Sequence, residues 1–291
     1  MPASRPEYSD GTGFNRRRFL QLSAAAASVA AMPVSLSVAA HQHQHPSVSG
    51  LQLYTLRDWM AVSVPATLKM VAAVGYKELE FAGYFGHKPA QIKQILKDEG
   101  LKAPSVHTPL TAFEDSVEKV IDDALEVGHQ YIVLPYLTEE QRGSHIDVYK
   151  KLADNLNRWG EACNKAGLTL AYHNHDFEFI NTNNELPYHV LLDRTEPELL
   201  SMEMDLFWMA KAGRDPLTYF DKYPGRFKLW HVKDMDKNGE FADVGTGTID
   251  FAPIFAQADK AGVEHYFVER DQTDDKLATL KQGHKALSAL L

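Results

Sequence analysis

The chain has 291 residues, 44% of them hydrophobic and 24% charged, and a formal net charge of −9. That length accommodates one large α/β domain or two small ones. The acidic balance, with no basic run beyond the N-terminus, argues against nucleic acid as the main partner, because phosphate binding needs a concentrated Lys/Arg face. A single cysteine, Cys163, excludes an intramolecular disulfide, so the fold must stand on its core.

In chain order, the first forty residues read as an export signal. Asn15, Arg16, Arg17, Arg18, Phe19 and Leu20 set a basic cluster before an Ala-rich apolar run, and SLSVAA supplies small residues for cleavage near Ala39 or Ala40. The order resembles a twin-arginine signal, which implies a bacterial protein exported already folded, its cofactor loaded in the cytoplasm, to the periplasm or another extracytoplasmic place. The apolar run is short for a spanning helix, so no stable membrane insertion is expected after cleavage and a retained anchor is the lesser alternative. Residues 41–48, opening with HQHQH, are predicted to be a disordered tail.

From residue 49 to 291 a regular alternation sets in. GLQLYTL, YKELEFA, KAPSVHT, YIVLPYL, LTLAYHN, LLSMEMDL, FKLWHVKD and HYFVERD read as strands, separated by amphipathic helical runs such as PATLKMVAAVG and VYKKLADNLNRWGEACNKAG. Gly75, Gly100, Gly128, Gly167 and Gly262 close helical runs where a left-handed residue is needed, and Gly225 after KYP reads as a turn. Eight strand–helix units predict a single-domain (β/α)₈ TIM barrel. A doubly wound sheet would carry a Gly-rich phosphate turn after its first strand, and YTLRDWM has none.

In such a barrel, catalytic groups gather at the C-terminal strand ends. Those ends hold Glu80, His107, Tyr136, His173 with His175, Glu203 with Asp205, His231 with Lys233, and Glu269 with Arg270. Strand parity puts His173 and His175 on one face, and likewise Glu203 with Asp205 and His231 with Lys233, while Met204, Leu206, Trp230 and Val232 take the other. Inward-facing carboxylates and imidazoles are costly without partners, and one divalent ion would satisfy several of them. A mixed N/O set suits Mn²⁺, Co²⁺, Fe²⁺ or Zn²⁺ better than Ca²⁺. Each residue also has a structural alternative: Asp205 as a helix cap, His231 as a hydrogen-bonded core histidine, Glu269 paired with Lys233, His175 as a partner that orients a ligand. Tyr54, Phe207 and Trp208 are either pocket lining or packing. VGTGTID reads either as a loop whose amides approach a ligand or as a turn leading to a capping Asp250.

LAYHNHDFEF, MEMDLFW, LWHVKD, DVGTGTIDF and FVERDQ, in that order, resemble the sugar phosphate isomerase/epimerase superfamily, the xylose isomerase-like barrels. The resemblance implies one divalent metal held through Glu, Asp, His and Glu. Here these positions are His173, Asp205, His231 and Glu269, so a histidine stands where the family has its first glutamate. It also implies proton abstraction next to a carbonyl through an enediolate on an unphosphorylated sugar or keto sugar. Glu269 is then the expected base, Lys233 or His175 the expected proton donor, and Glu80, His107 and Arg270 the expected hydroxyl contacts. Isomerisation or epimerisation is placed ahead of β-elimination from a 3-keto-glycoside or keto sugar. A non-catalytic exported sugar-binding barrel is the alternative of another class, and assembly into a homo-oligomer is left open. A nuclease branch of the superfamily is set aside on the chain's acidity.

Overall fold

The barrel strands are short because each is needed only to carry two or three inward side chains. In the computed structural model, which describes residues 48–291, they are β1 (Gly50–Gln52), β2 (Glu78–Phe81), β3 (Lys102–His107), β4 (Tyr131–Leu134), β5 (Thr169–His173), β6 (Leu200–Asp205), β7 (Leu229–Val232) and β8 (His265–Val268). All eight pair in parallel with their sequence neighbours, and β1 pairs with β8, so the sheet closes into a TIM barrel with helices between the strands. The export signal and residues 41–47 of the tail lie outside the described residues.

Parity divides the barrel into two apolar systems. Outward residues such as Leu79, Ile132, Leu170, Met202, Trp230 and Tyr266 join the large cluster under the helices. Inward residues form a small separate cluster of Tyr131, Val133, Ala171, Leu229 and Phe267. Phe267 fits there because β1 offers Gly50: a Cβ at that position would stand 2.6 Å from the Phe267 ring and 2.4 Å from the Tyr266 carbonyl. The inward positions above this plug are the polar ones.

Four of the helix-closing glycines sit where the sequence predicts. Gly75, Gly100, Gly128 and Gly262 sit at helix C-termini with positive φ, and Gly225 turns the chain before β7. Gly225 and Gly262 also pack against each other, since a Cβ on Gly262 would lie 2.8 Å from the Gly225 Cα. Two differences from the sequence reading stand out. The first strand stops at Gln52, where the Gln52 side chain accepts from the Tyr54 amide and starts a 3-10 turn. The helical run SVEKVIDDALEVG is extended backwards to Leu110 and is kinked at Ser116, which has extended backbone angles. Among the described residues no helix is long and apolar enough to cross a membrane.

Candidate active site at the C-terminal strand ends

Parallel register sets the site residues at one height: His173 pairs with Glu203, Asp205 with His231, Gln52 with Glu80, and Glu80 with Ser105. Barrel closure then brings side chains from β2, β3, β5, β6, β7 and the segment after β8 into one buried cluster. Two groups of ligand-competent atoms lie mutually within 4.8 Å: His107, His173, Glu203 and His231, and Asp205, His231 and Glu269. His231 belongs to both. Its Nε2 is 2.7 Å from Glu80 Oε1 and 3.3 Å from Glu203 Oε2. Its Nδ1 is 2.9 Å from Glu269 Oε2 and 3.7 Å from Asp205 Oδ2. His173 joins the groups, with Nδ1 3.3 Å from Glu203 Oε2 and Nε2 3.9 Å from Asp205 Oδ2.

The four expected metal ligands fall in two groups that share His231, His173 lying with His107 and Glu203 and Asp205 lying with Glu269, and this donor set fits a divalent cation. His173 Nδ1, His231 Nδ1, Glu203 Oε1 and Asp205 Oδ2 are buried atoms with no hydrogen-bond partner. Such atoms are costly unless something else satisfies them. Burial and the neighbouring His231 hold His173 well below the ordinary imidazole range, leaving it neutral with its lone pairs available. Burial opposes protonation of His231 and His107 too, but Glu203 with Glu269 raises the first well above its usual range, and Glu80 with Glu203 raises the second to about 9. A cation among these carboxylates takes over the charge those protons balance.

Asp205 does two things at once. One oxygen caps the helix Leu206–Lys211, accepting from the Trp208 amide at 2.9 Å, and the other faces His231 and Lys233. The cap uses only one of its two oxygens and leaves the other open as a donor, so the two roles posed as alternatives by the sequence are compatible.

Lys233 is fully buried and held between three carboxylates, Asp271 at 2.5 Å, Glu269 at 3.2 Å and Asp205 at 3.5 Å, with the rings of Phe207, Trp208 and Phe241 within 5.7 Å. Burial disfavours its charge, yet Glu269, Asp205 and Asp271 outweigh burial and hold the ammonium above the ordinary lysine range. Burial likewise pushes Glu269 up, but Lys233 and His231 bring it well below the usual carboxylate range. The pair is thus an ionised carboxylate beside a protonated amine.

Four expected residues have other work. Glu80 is fully buried, and its oxygens are taken by Gln52 (2.6 Å), Ser105 (2.5 Å), His231 and His107 (3.1 Å), so it orients imidazoles and is not free for a substrate hydroxyl. Arg270 binds the Asp243 carboxylate at 2.6 Å and the Phe241 carbonyl, tying down the antiparallel pair Asp234–Met235 and Phe241–Ala242. His175 sits at the mouth, stacked on Phe177 at 5.2 Å, and burial and then Lys233 push it down to about 3, so it is a neutral ring and not an ammonium-like donor. His107, expected at a hydroxyl, bonds Glu203 at 2.8 Å.

VGTGTID proves to be a structural turn. Asp234 Oδ2 accepts from the Gly245 and Gly247 amides at 2.9 Å, and Oδ1 from Met235 at 2.8 Å and Ile249 at 3.2 Å. A Cβ on Gly247 would meet Asp234 Oδ1 at 2.3 Å, so the glycine lets the loop close on its own carboxylate. Asp250 then caps the helix Phe251–Phe255. Sequence reasoning named Glu203 only as a strand-end residue and did not single out Gln52, Ser105 or Asp271. Glu203 carried the parity signal of Asp205, whereas the other three are ordinary polar residues until the barrel closes.

Comparison with known proteins accords with this geometry. The chain is 29% identical over 263 residues to an inosose dehydratase of Lacticaseibacillus casei, covering 77% of this chain and 88% of the relative. It is 30% identical over 162 residues to an inosose dehydratase of Geobacillus thermodenitrificans, about half of each chain (50% and 51%). A sugar phosphate isomerase/epimerase from Parabacteroides distasonis superposes with a TM-score of 0.73 at 26% identity, over 89% of this chain and 98% of that one. Residues 68–290 match the model of one barrel family, and on that match the chain belongs to the xylose isomerase-like TIM barrel family.

Proposed function

We propose that the protein is a lyase that removes a proton next to a ketone and expels a β-oxygen substituent, acting on a keto-cyclitol or an unphosphorylated keto sugar. The observation that carries this reading is the pair of Glu269 and Lys233, a base and an acid already in opposite protonation states 3.2 Å apart beside the donor cluster. A divalent metal (Mn²⁺, Co²⁺, Fe²⁺ or Zn²⁺) held by His173, Asp205, His231 and Glu269 would supply Lewis acidity to the ketone. Glu269 takes the α-proton, and the electron pair enters the enediolate. Lys233 protonates the departing oxygen as the carbon–oxygen bond breaks, leaving an enone and water or an alcohol. Glu80, through His231 and His107, fixes the imidazoles around which this happens.

The dehydratase names of the relatives support elimination, and so does His173, which removes the second of two flanking glutamates needed for symmetrical proton transfer. Isomerisation by return of the proton to carbon is the second reading, supported by the isomerase/epimerase neighbour. We also propose export in the folded state, on the twin-arginine order of residues 15–20.

The test is to incubate metal-loaded protein with an inosose and with methyl 3-keto-β-glucoside in D₂O, following the α C–H signal by NMR and enone absorbance. Enone formation from either compound is expected. Deuterium uptake without enone selects isomerisation. Neither exchange nor enone, in protein carrying about one divalent metal per chain, rejects the enolisation chemistry.

A further inference from the structure

The wall of the mouth does not end at the reacting groups. From His173 the rings continue outward through His175 (4.7 Å between centroids), which is stacked on Phe177 (5.2 Å, 7° between planes) and met edge-on by Tyr136 (5.1 Å). Tyr136 follows β4 directly and is 44% exposed, unusual for a large side chain beside a buried polar site. Above these rings lies Arg142, from the short helix Glu139–Arg142, its guanidinium 4.0 Å over Phe177 and 5.8 Å from the Tyr136 centroid. Among the described residues its one ion pair is Glu139 at 3.8 Å, a carboxylate almost wholly in solvent, so its donors are little used. Two buried nitrogens on the same wall, His175 Nδ1 and Trp208 Nε1, have no hydrogen-bond partner.

Nothing in the proton chemistry needs this extension. The reacting ring is served by groups from His173 inward, and Tyr136 and Arg142 stand outside them. An exposed ring edged by a guanidinium is the pattern that holds a sugar: apolar C–H face on the aromatic, hydroxyls on the guanidinium donors. We propose that Tyr136, Phe177, His175 and Arg142 form an outer subsite that holds a second sugar ring, joined to the keto ring through the oxygen that departs. The inference rests on the elimination reading above and narrows it to glycosides of at least two rings. In the step, the C2–H bond of a 3-keto ring breaks to Glu269 and its electron pair forms the C2–C3 double bond of the enediolate. The C3 carbonyl then re-forms, the C1–C2 double bond forms as the C1–O1 bond breaks, and O1 leaves with a proton from Lys233 as the hydroxyl of the second sugar.

The experiment compares kcat/KM for 3-keto-cellobiose, oxidised on its non-reducing ring, and methyl 3-keto-β-glucoside in the full chain. The wild type is set beside Tyr136→Ala, Tyr136→Phe and Arg142→Met. The preference for the two-ring substrate is expected to fall roughly tenfold in Tyr136→Ala and to persist in Tyr136→Phe. Arg142→Met is expected to weaken it through KM. An unchanged preference in Tyr136→Ala overturns the subsite even if both compounds are eliminated efficiently. If neither compound reacts, the elimination reading has failed by itself. The subsite is then decided by tryptophan fluorescence titration with cellobiose and glucose: tighter cellobiose binding that Tyr136→Ala abolishes supports it, and equal binding overturns it.

Discussion

Asp205 and Asp234 are both buried acids at the C-terminal end of a barrel strand, and the structure uses them in opposite ways. Asp234 spends both oxygens on four backbone amides and closes a loop. Asp205 gives one oxygen to the Trp208 amide and leaves the other without a hydrogen bond, facing His231 and Lys233. The lesson is that burial of a charge does not mark a site. A fully satisfied carboxylate is architecture, and one held half-satisfied by its surroundings is available for chemistry.

The contrast is sharpest in paired substitutions. Asp205→Asn keeps an N-cap side chain of equal quality and removes the charge. Bound metal and kcat/KM are expected to fall by about 10²-fold or more, while the unfolding free energy from urea titration stays within about 1 kcal/mol of the wild type. A large loss of stability with metal retained would make Asp205 architectural after all. Asp234→Ala should do the reverse and lower stability by about 3 kcal/mol as buried amides lose their acceptor. Asp234→Asn should recover part of that, and urea unfolding decides it.

A third acid is tested through pH. Glu178 is fully buried beneath the loop after β5, accepting from the Tyr172 hydroxyl at 2.5 Å and the His175 amide at 2.8 Å, and burial pushes it up to about 8. A carboxyl raised in the folded state contributes stability that is complete below its unfolded value, about 4.5, and is lost as pH rises through about 8. Wild-type stability relative to Glu178→Gln should therefore decline between pH 5 and 8, by at most ~1.4 kcal/mol per pH unit. Urea midpoints at three pH values check this, and a flat difference would mean that the carboxyl is ionised throughout.

The sequence made the barrel legible because period-2 and period-3.6 patterns and helix-ending glycines are local signals. The inward direction of Asp205 and His231 was legible for the same reason, since parity along one strand fixes it, whereas Glu269 was named only as a strand-end residue and through the family resemblance. Partnerships across the barrel were not. Glu80 reads as one more acid at a strand end, and its engagement by Gln52, Ser105, His107 and His231 depends on strands 25 to 151 residues away. Asp234 sits in HVKD beside two candidate site residues, and only the return of the chain at Gly245 and Gly247 shows that its capacity is used up. The antiparallel pair that Arg270 holds has strands of two residues, too short to leave a periodic trace.

The apolar plug that Phe267 forms in the space left by Gly50 makes the barrel a blind tube. Whatever reaches the buried histidines comes in through the mouth and goes out the same way. A reaction that splits one molecule into two in such a tube has a fixed queue: the fragment lying against Tyr136 must depart before the fragment behind it can move. On the proposed elimination, release would be ordered, with the inner product leaving last and competing with each new substrate.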